Sequence, residues 1–516
     1  MSISQDNNKR IAKNTILLYF RMLFLMGISL YTSRVVLNTL GVEDYGIYNV
    51  VGGIVAMFGF INSSMASATQ RFITFALGQE NAKQLESVFG TTLLIHSIIS
   101  FLVVILGETI GLWFLYNKMQ IPELRMDAAF WVLQCSIVST VILILSVPYN
   151  AAIIAHEKMS AFAYISILEV VLKLLIVYLL LCFSFDKLIL YAVLLVAVQA
   201  LIQVCYRLYC LRHFQETKVF CRWNKPLFKE MTGFAGWSLF GNLSAVCFNQ
   251  GLNMLLNVFF GPIVNAARAI AVQVQNAILQ FVSNFQMALN PQITKMYAQQ
   301  KMDDMRTLMY RSARFSFYLL FLLSLPVLFE TNYLLTLWLK TVPDNTVIFL
   351  RIMICTSMLN AVANPLIIAN QATGKVRKYQ AICGTLLLMI LPISYVCLLL
   401  GYPAYAVFVV HFVIECVTQL ARMILLRPLI GIRIKDYILY IYSRISIVTV
   451  VSLLFPLMVY NICSETGFIR FVLISLSCVL SVSVCTFFIG LTNSERLFFQ
   501  TKFKEIILRK PQIRNL

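Results

Sequence analysis

The sequence predicts an all-α polytopic membrane protein of about fourteen transmembrane helices, arranged as two pseudo-symmetric six-helix lobes and a C-terminal helix pair. Three observations predict it. Of 516 residues, 60% are hydrophobic and only 12% are charged. A soluble globule carries about twice that charged fraction. Apolar runs long enough to span a bilayer, about 20 residues each, recur along the whole chain. A weak internal repeat relates the two halves.

Taken in order, the first lobe holds spans near 13–36, 45–68, 87–115, 128–150, 161–183 and 187–211. Arg21 interrupts the first run and no small-residue cleavage pattern follows, so this span is expected to stay as an uncleaved signal anchor. The second lobe holds 231–259, 263–289, 312–337, 346–369, 379–401 and 404–427, and the terminal pair 437–461 and 467–491. The spans 45–68 and 263–289 are the most polar. The expected organisation is a lobe at 1–212, a basic linker at 213–230, a lobe at 231–430, a helix pair at 431–495 and a basic tail at 496–516.

The net charge of +19 resides in short loops. Even-numbered gaps and both ends are rich in Lys and Arg, whereas odd-numbered gaps hold few, among them Lys118, Arg125, Lys187 and Lys340. The positive-inside rule then places both termini in the cytoplasm. No basic module stands outside the membrane segments, which argues against nucleic acid as a partner and leaves membrane lipids as the surrounding one. Thirteen cysteines lie scattered, mostly in apolar runs and without metal-ligand spacing, so neither a disulfide framework nor a metal site is expected.

A shift of 220 residues aligns Gly41 with Gly261, Ser63 with Ser283, Ala68 with Ala288, Ile73-Thr74 with Ile293-Thr294 and Gln79 with Gln299. Both segments form the second helix of a half and the loop that follows. Six helices per repeat would relate the lobes by an axis along the membrane normal.

The most informative span lies between Asn265 and Asn290. Its ten polar residues (Asn265, Arg268, Gln273, Gln275, Asn276, Gln280, Ser283, Asn284, Gln286, Asn290) fall within about half a turn at 100° per residue. A helix facing only lipid cannot hold an Arg and so many amides, because nothing in hydrocarbon replaces their hydration. The polar half must face other helices or a water-filled cavity, as in a transporter lining its path. Asn249, Gln250 and Asn253 share one face of the preceding span. In the first lobe Asn14, Arg21, Ser29 and Thr32 cluster on one side of helix one, and Asn62, Ser63, Ser64, Ser67, Gln70 and Arg71 populate helix two. The plainer reading of any one of these is an interhelical hydrogen bond, worth about 0.6–2 kcal/mol; the whole array reads as a cavity.

Cations outnumber anions at membrane depth. Arg268, Arg21, Arg34 and Arg71 are the candidates for holding an anion, since guanidinium presents a planar fork of donors that suits phosphate. Arg34 also fits a snorkelling role. Asn249, Gln250, Asn253, Asn265, Gln275, Asn276, Gln280 and Ser283 would serve a hydroxyl-rich cargo such as a sugar chain. Glu169 and Lys173, at i, i+4, suit a salt bridge within one helix, and Glu415 lies one turn from His411. Glu169, Lys173 and Glu415 are the candidates for coupling to an ion, although a paired structural role explains each as well. No phosphate-binding loop, HExxH, GxSxG or large outer loop is present, so no catalytic residue or cofactor is assigned and an enzyme is not expected.

The run Asn38-Thr39-Leu40-Gly41-Val42-Glu43-Asp44-Tyr45-Gly46-Ile47-Tyr48, then Asn49-Val50-Val51-Gly52-Gly53 and Ala68-Thr69-Gln70-Arg71-Phe72-Ile73, resembles bacterial polysaccharide-biosynthesis flippases. These are the Wzx-like members of the MOP exporter superfamily, which includes MATE exporters and the lipid II flippase. The resemblance implies a two-lobe transporter in the bacterial inner membrane that moves undecaprenyl-pyrophosphate-linked oligosaccharide, for O-antigen, capsule or another surface polysaccharide, by alternating access. A lipid-linked oligosaccharide would be its cargo and a polysaccharide polymerase its partner. The family has ion-coupled members, but no acid cluster in the first lobe marks a sodium or proton site. The alternatives are a MATE-type cation-coupled antiporter, which would need an essential membrane acid, and a glycosyltransferase on the same lipid carrier, which would need large catalytic loops.

Overall fold

A computed structural model describes residues 2–56, 59–119, 121–182, 185–218, 223–339, 342–463, 467–497 and 500. The side chains of 2–13 and of several positions between 29 and 62, those of Ser29, Arg34 and Asn62 included, lie outside that description. Among the described residues there are helices and no strands. The all-helical class predicted by composition is therefore observed.

The helices are α1 (Ser2–Ala56), α2 (Gly59–Gly78), α3 (Ala82–Leu106), α4 (Leu112–Lys118), α5 (Met126–Ala155), α6 (Met159–Cys182), α7 (Lys187–His213) and α8 (Lys225–Ala298). They continue with α9 (Met302–Phe329), α10 (Thr331–Leu339), α11 (Thr346–Thr373), α12 (Arg377–Leu399), α13 (Ala406–Ile430), α14 (Ile434–Tyr437), α15 (Ser443–Ile462) and α16 (Phe468–Cys485). Short polar residues start several of them by accepting orphan amides: Asn81 from Gln84, Asp186 from Leu188 and Ile189, and Asn224 from Leu227. Gly431, in the left-handed region, stops α13.

Eleven helical stretches among the described residues are long and apolar enough to cross a membrane. The remaining helical stretches, 2–40, 42–56 with 59–78, and 262–298, do not pass that test in full. They correspond to three of the predicted spans, so a count of fourteen is compatible with the fold. Four boundaries differ most from expectation. The span placed at 13–36 begins at Ser2, the spans placed at 45–68 and 263–289 run on as helix to Gly78 and Ala298, and the span placed at 312–337 begins at Met302. Hydropathy measures the apolar part of a helix; backbone hydrogen bonding continues through polar turns that the apolar window leaves out.

Two long helices are broken by glycine at related places. Gly41 has φ 81° and ψ 167°, and Gly261 has φ 79° and ψ −173°. Only glycine occupies this region readily, so each chain reversal is fixed by the lack of a side chain. The same 220-residue offset relates Glu80 (φ 56°) to Gln300 (φ 59°). Burial repeats as well: Ala68 and Ala288 are fully buried, as are Ile73 and Ile293, while Ser63 and Ser283 are exposed. An offset of 217 relates Pro148 in α5 to Pro365 in α11, and Glu157 (φ 59°) to Gly374 (φ 74°) just after those helices. The weak sequence repeat is thus a repeat of backbone conformation.

The chain divides into two compact units. The first comprises Met1–Val246, Met287–Met305 and Ile368–Thr385. Within it α5 packs against α3 and α7, and α1 against α6. Its core includes Phe72, Ile73, Phe89, Ile153 and Met231, with Phe89 edge-on to Tyr149 and Phe72 edge-on to Phe234. The second comprises Cys247–Gln286, Arg306–Ile367 and Leu386–Leu516. There Phe349 packs on Phe408, α15 lies against α16, and Arg470 pairs with Glu330 at 3.0 Å.

Candidate functional site

The helical stretch 262–298 buries its apolar half. Ala267, Ala271, Val282, Ala288 and Leu289 are buried. Between Asn265 and Asn290 the exposed residues are Ala266, Ala269, Gln273, Asn276, Ala277, Gln280 and Ser283. No large apolar side chain is among them. This inverts the pattern of a lipid-facing helix. Four exposed polar groups with only alanine between them require water or a polar ligand opposite.

The other polar residues of the stretch bind protein. Gln275 Nε2 donates to Ser357 Oγ at 2.6 Å and to the Met353 carbonyl at 3.2 Å. Gln286 Nε2 donates to Ser316 Oγ at 3.0 Å and the Ala361 carbonyl at 3.1 Å. Asn284 Nδ2 donates back to the Gln280 carbonyl. The ten-residue array is therefore mixed: part is interhelical glue, and a stripe formed by Gln273, Asn276, Gln280 and Ser283 is open.

Arg268 sits at the start of this stretch and folds back across the Gly261 reversal. Its Nη1 donates to Asn253 Oδ1 at 3.2 Å and its Nη2 to the Asn249 carbonyl at 3.0 Å. Its Nε is buried without a hydrogen-bond partner among the described residues. Both neighbours are uncharged, so neither offsets the positive charge of the guanidinium. Insertion scales put an uncompensated Arg at a helix centre at about 2.5–3.5 kcal/mol. Gln250 is exposed and Asn265 half-buried nearby in sequence.

Glu415, in the same unit, does not pair with His411. Its carboxylate is held by Arg422, seven residues on, and Arg422 also donates to Gln419 Oε1. Seven residues return to the same helix face, and the long guanidinium bridges the two turns. His411 instead packs its ring against Phe248, 4.9 Å between centroids.

In the first unit Arg21 stacks on Phe162, 4.5 Å from the ring centroid, and its Nε has no hydrogen-bond partner among the described residues. Glu169 and Lys173 make the salt bridge their spacing suggests, at 2.6 Å. Arg71 is 8% exposed: Nε bonds the Gln371 carbonyl at 3.1 Å, Nη2 the Ala372 carbonyl at 3.2 Å, and Nη1 lies 4.0 Å from the exposed Glu230 carboxylate. Phe72 and Phe75 flank it. It caps the C-terminus of α11, where a cation meets the negative end of the helix dipole. The side chain of Arg34 lies outside the described residues.

A family model described as MatE matches residues 18–179. Solved structures match across nearly their whole length. One, the outward-facing conformation of a multidrug resistance MATE family transporter of the MOP superfamily, is 15% identical with a TM-score of 0.68, covering 82% of this chain and 96% of that one. A MATE in the bent conformation is 13% identical with a TM-score of 0.72, covering 83% and 96%. The Vibrio cholerae MATE transporter VcmN in its bent form is 17% identical with a TM-score of 0.66, covering 86% and 100%. This chain has the MATE fold. No curated protein sequence gives a match.

The MATE fold encloses several functional-looking residues that sequence reasoning did not single out. Arg422 is the partner of Glu415, and its signal was an acid and a base seven apart on one helix. Glu157, after α5, receives Lys295 at 2.7 Å and Gln292 from the far end of α8. Nothing local in the sequence joins positions 138 residues apart. The comparisons name MATE transporters, and the polysaccharide-flippase expectation is a finer statement than they make.

Proposed function

We propose that this chain is a membrane transporter working by alternating access on the MATE fold. One observation carries the reading: the exposed stripe of Gln273, Asn276, Gln280 and Ser283 on a helix whose apolar half is buried. A helix so built needs an aqueous path opposite its polar side.

Two cargoes fit such a path. The comparisons favour the MATE-type antiporter: the matched family model is MatE, and one of the solved structures is described as a multidrug resistance transporter. On this reading Glu415 or Glu169 would couple cation entry to export. Both carboxylates are already engaged, with Arg422 and Lys173. A second reading is supported by Arg268, whose hydrogen-bond partners among the described residues are amide and carbonyl groups. An anion would complete its donor set, and the amides beside it suit sugar hydroxyls. Its cargo would be a lipid-linked oligosaccharide pyrophosphate moved outward across the cytoplasmic membrane, both chain ends lying inside and a polysaccharide polymerase acting next.

One experiment separates them. Purified protein is reconstituted with a fluorescent polyprenyl-pyrophosphate oligosaccharide, and in parallel with a fluorescent organic cation under an imposed proton or sodium gradient. Oligosaccharide exchange lost in Arg268→Ala supports the flippase. Gradient-driven cation movement that needs Glu415 or Glu169 and survives Arg268→Ala supports the antiporter. Movement of neither cargo counts against transport of both classes.

A further inference from the structure

We infer that Arg311 and Arg314 on α9, with Arg444 at the start of α15, hold a phosphate group, that of an anionic lipid head. All three lie in the second compact unit. Nothing in the site depends on which cargo the protein moves.

One carboxylate serves this cluster. Glu495 Oε1 receives Arg311 Nε at 3.0 Å and Arg314 Nη2 at 2.8 Å. Its Oε2 receives the Thr492 amide at 2.8 Å, and the Thr492 hydroxyl receives the Glu495 amide at 3.4 Å. This reciprocal pair is a capping box, so Glu495 also starts the helical stretch 493–497. Arg444 adds a further positive charge, which repels that of Arg314, as Arg311 does. Three guanidiniums against one carboxylate leave the cluster with an excess of positive charge.

Donors are in excess as well. Arg314 Nε, Arg444 Nη1 and Tyr318 Oη are buried without a hydrogen-bond partner among the described residues. Arg314 and Tyr318 are each only 4% exposed. Tyr318 follows Arg314 by one helical turn and lies against Gly490, where a Cβ would be 2.9 Å from its ring and 3.0 Å from its hydroxyl. Arg314 Nη1 donates to the carbonyl of the same glycine at 3.1 Å. Three buried donors beside unbalanced cations call for one acceptor that is both anionic and rich in oxygens. Phosphate is such a group, and guanidinium meets it as a planar fork.

The surroundings fit a lipid head better than a free anion. The chain enters α15 past Arg433 and Lys435, and leaves α16 toward the basic tail. Loop charge would place this end at the cytoplasmic surface, where anionic heads are held by basic pockets between spans. The Arg311 side chain is 30% exposed and Arg444 is half-buried, which gives a ligand access. Ile447, one turn beyond Arg444, and Phe488, two residues before Gly490, are exposed and offer apolar surface to an acyl chain.

The test follows thermal unfolding of the full chain in detergent as phosphatidylglycerol, phosphatidylcholine or inorganic phosphate is added. Phosphatidylglycerol should raise the wild-type midpoint, and phosphatidylcholine should not. Arg444→Gln should require about tenfold more phosphatidylglycerol for the same rise, the order for losing one charge-assisted hydrogen bond. Without added lipid this variant should unfold no earlier than the wild type, because it removes a cation that repels Arg314. Arg311→Gln, a second variant that leaves Arg314 on Glu495, should also weaken the response. Inorganic phosphate acting as strongly as phosphatidylglycerol, and more weakly on Arg444→Gln, upholds the phosphate site but assigns it to a soluble anion. No response to either phosphate source, or one that both variants leave unchanged, overturns the site. Earlier unfolding of Arg444→Gln without lipid, with an undiminished rise on adding it, makes Arg444 a structural contact and also overturns the site. No transport is measured, so failure here leaves the transporter reading untouched.

Discussion

Arg71 and Arg268 carry the same guanidinium on polar helices of the two halves, and their surroundings set them apart. Arg71 is buried, flanked by aromatic rings and bonded to the carbonyls that end α11. Arg268 has amide and carbonyl neighbours, an unpartnered Nε, and an exposed polar stripe on its own helix. A cation whose acceptors all belong to the fold stabilises the fold. A cation with donors to spare, kept at membrane depth, is available to something that arrives.

Substitution at the two sites should therefore separate stability from transport. The largest expected effect is at Arg71. Arg71→Ala leaves two helix-end carbonyls unpaired in a buried place, at about 1–3 kcal/mol each. The level of folded protein in the membrane should fall, and thermal unfolding in detergent should come several degrees earlier. Arg268→Ala should keep wild-type abundance, because water can replace its bonds to Asn249 and Asn253. Anionic cargo should bind about 10–100-fold more weakly, as for the loss of a charge-assisted hydrogen bond worth about 1.5–3 kcal/mol. Equal loss of protein in both variants would erase the distinction.

Composition and hydropathy were enough to read the helical class, the span count and the two most polar spans, because the demand for apolar length is local. The Gly41–Gly261 repeat was also legible, since a backbone region open only to glycine leaves a residue-type signature. The difference between Arg71 and Arg268 was not. Each belongs to a polar pattern of the same period, and what separates them is an acceptor set 300 residues away in one case and 15–19 residues away in the other. Glu157 escaped for the same reason: it looks like any surface acid until Lys295, 138 residues on, arrives. Arg422 is different, since its partner Glu415 lies seven residues away on the same helix.

The paired glycines offer a smaller and more symmetrical test. Gly41→Ala and Gly261→Ala each force a side chain into a region that costs of order 1–3 kcal/mol. Among the described residues no atom outside the local helix lies within 4 Å of an added Cβ at either site, so the expected effect is backbone strain. The two variants should lower the unfolding midpoint by similar amounts, and the double variant should lose the sum, as distant sites do. A large inequality between them would show that the two reversals are not held equally.

The smallest effect is expected at a loop staple in the first unit, where Arg125 bridges Asp44 and Asp186. Burial pushes the Asp186 carboxyl up, but the Arg125 guanidinium and the amides of Ile189 and Leu188 outweigh it and hold Asp186 below the usual carboxylate range. A carboxylate depressed in the folded state stabilises fully above its unfolded value of about 3.9, and that contribution fades as pH falls through the lower folded value. The site is largely solvated, so screening keeps the contribution to less than about 1 kcal/mol. Asp186→Asn keeps a helix-capping oxygen while removing the charge. The midpoint difference between wild type and Asp186→Asn should be small at pH 6, shrink below pH 4, and shrink at pH 6 when salt is raised, since exposed pairs are screened. A difference that persists unchanged at pH 3 would show that the substitution acts through something other than the charge of Asp186.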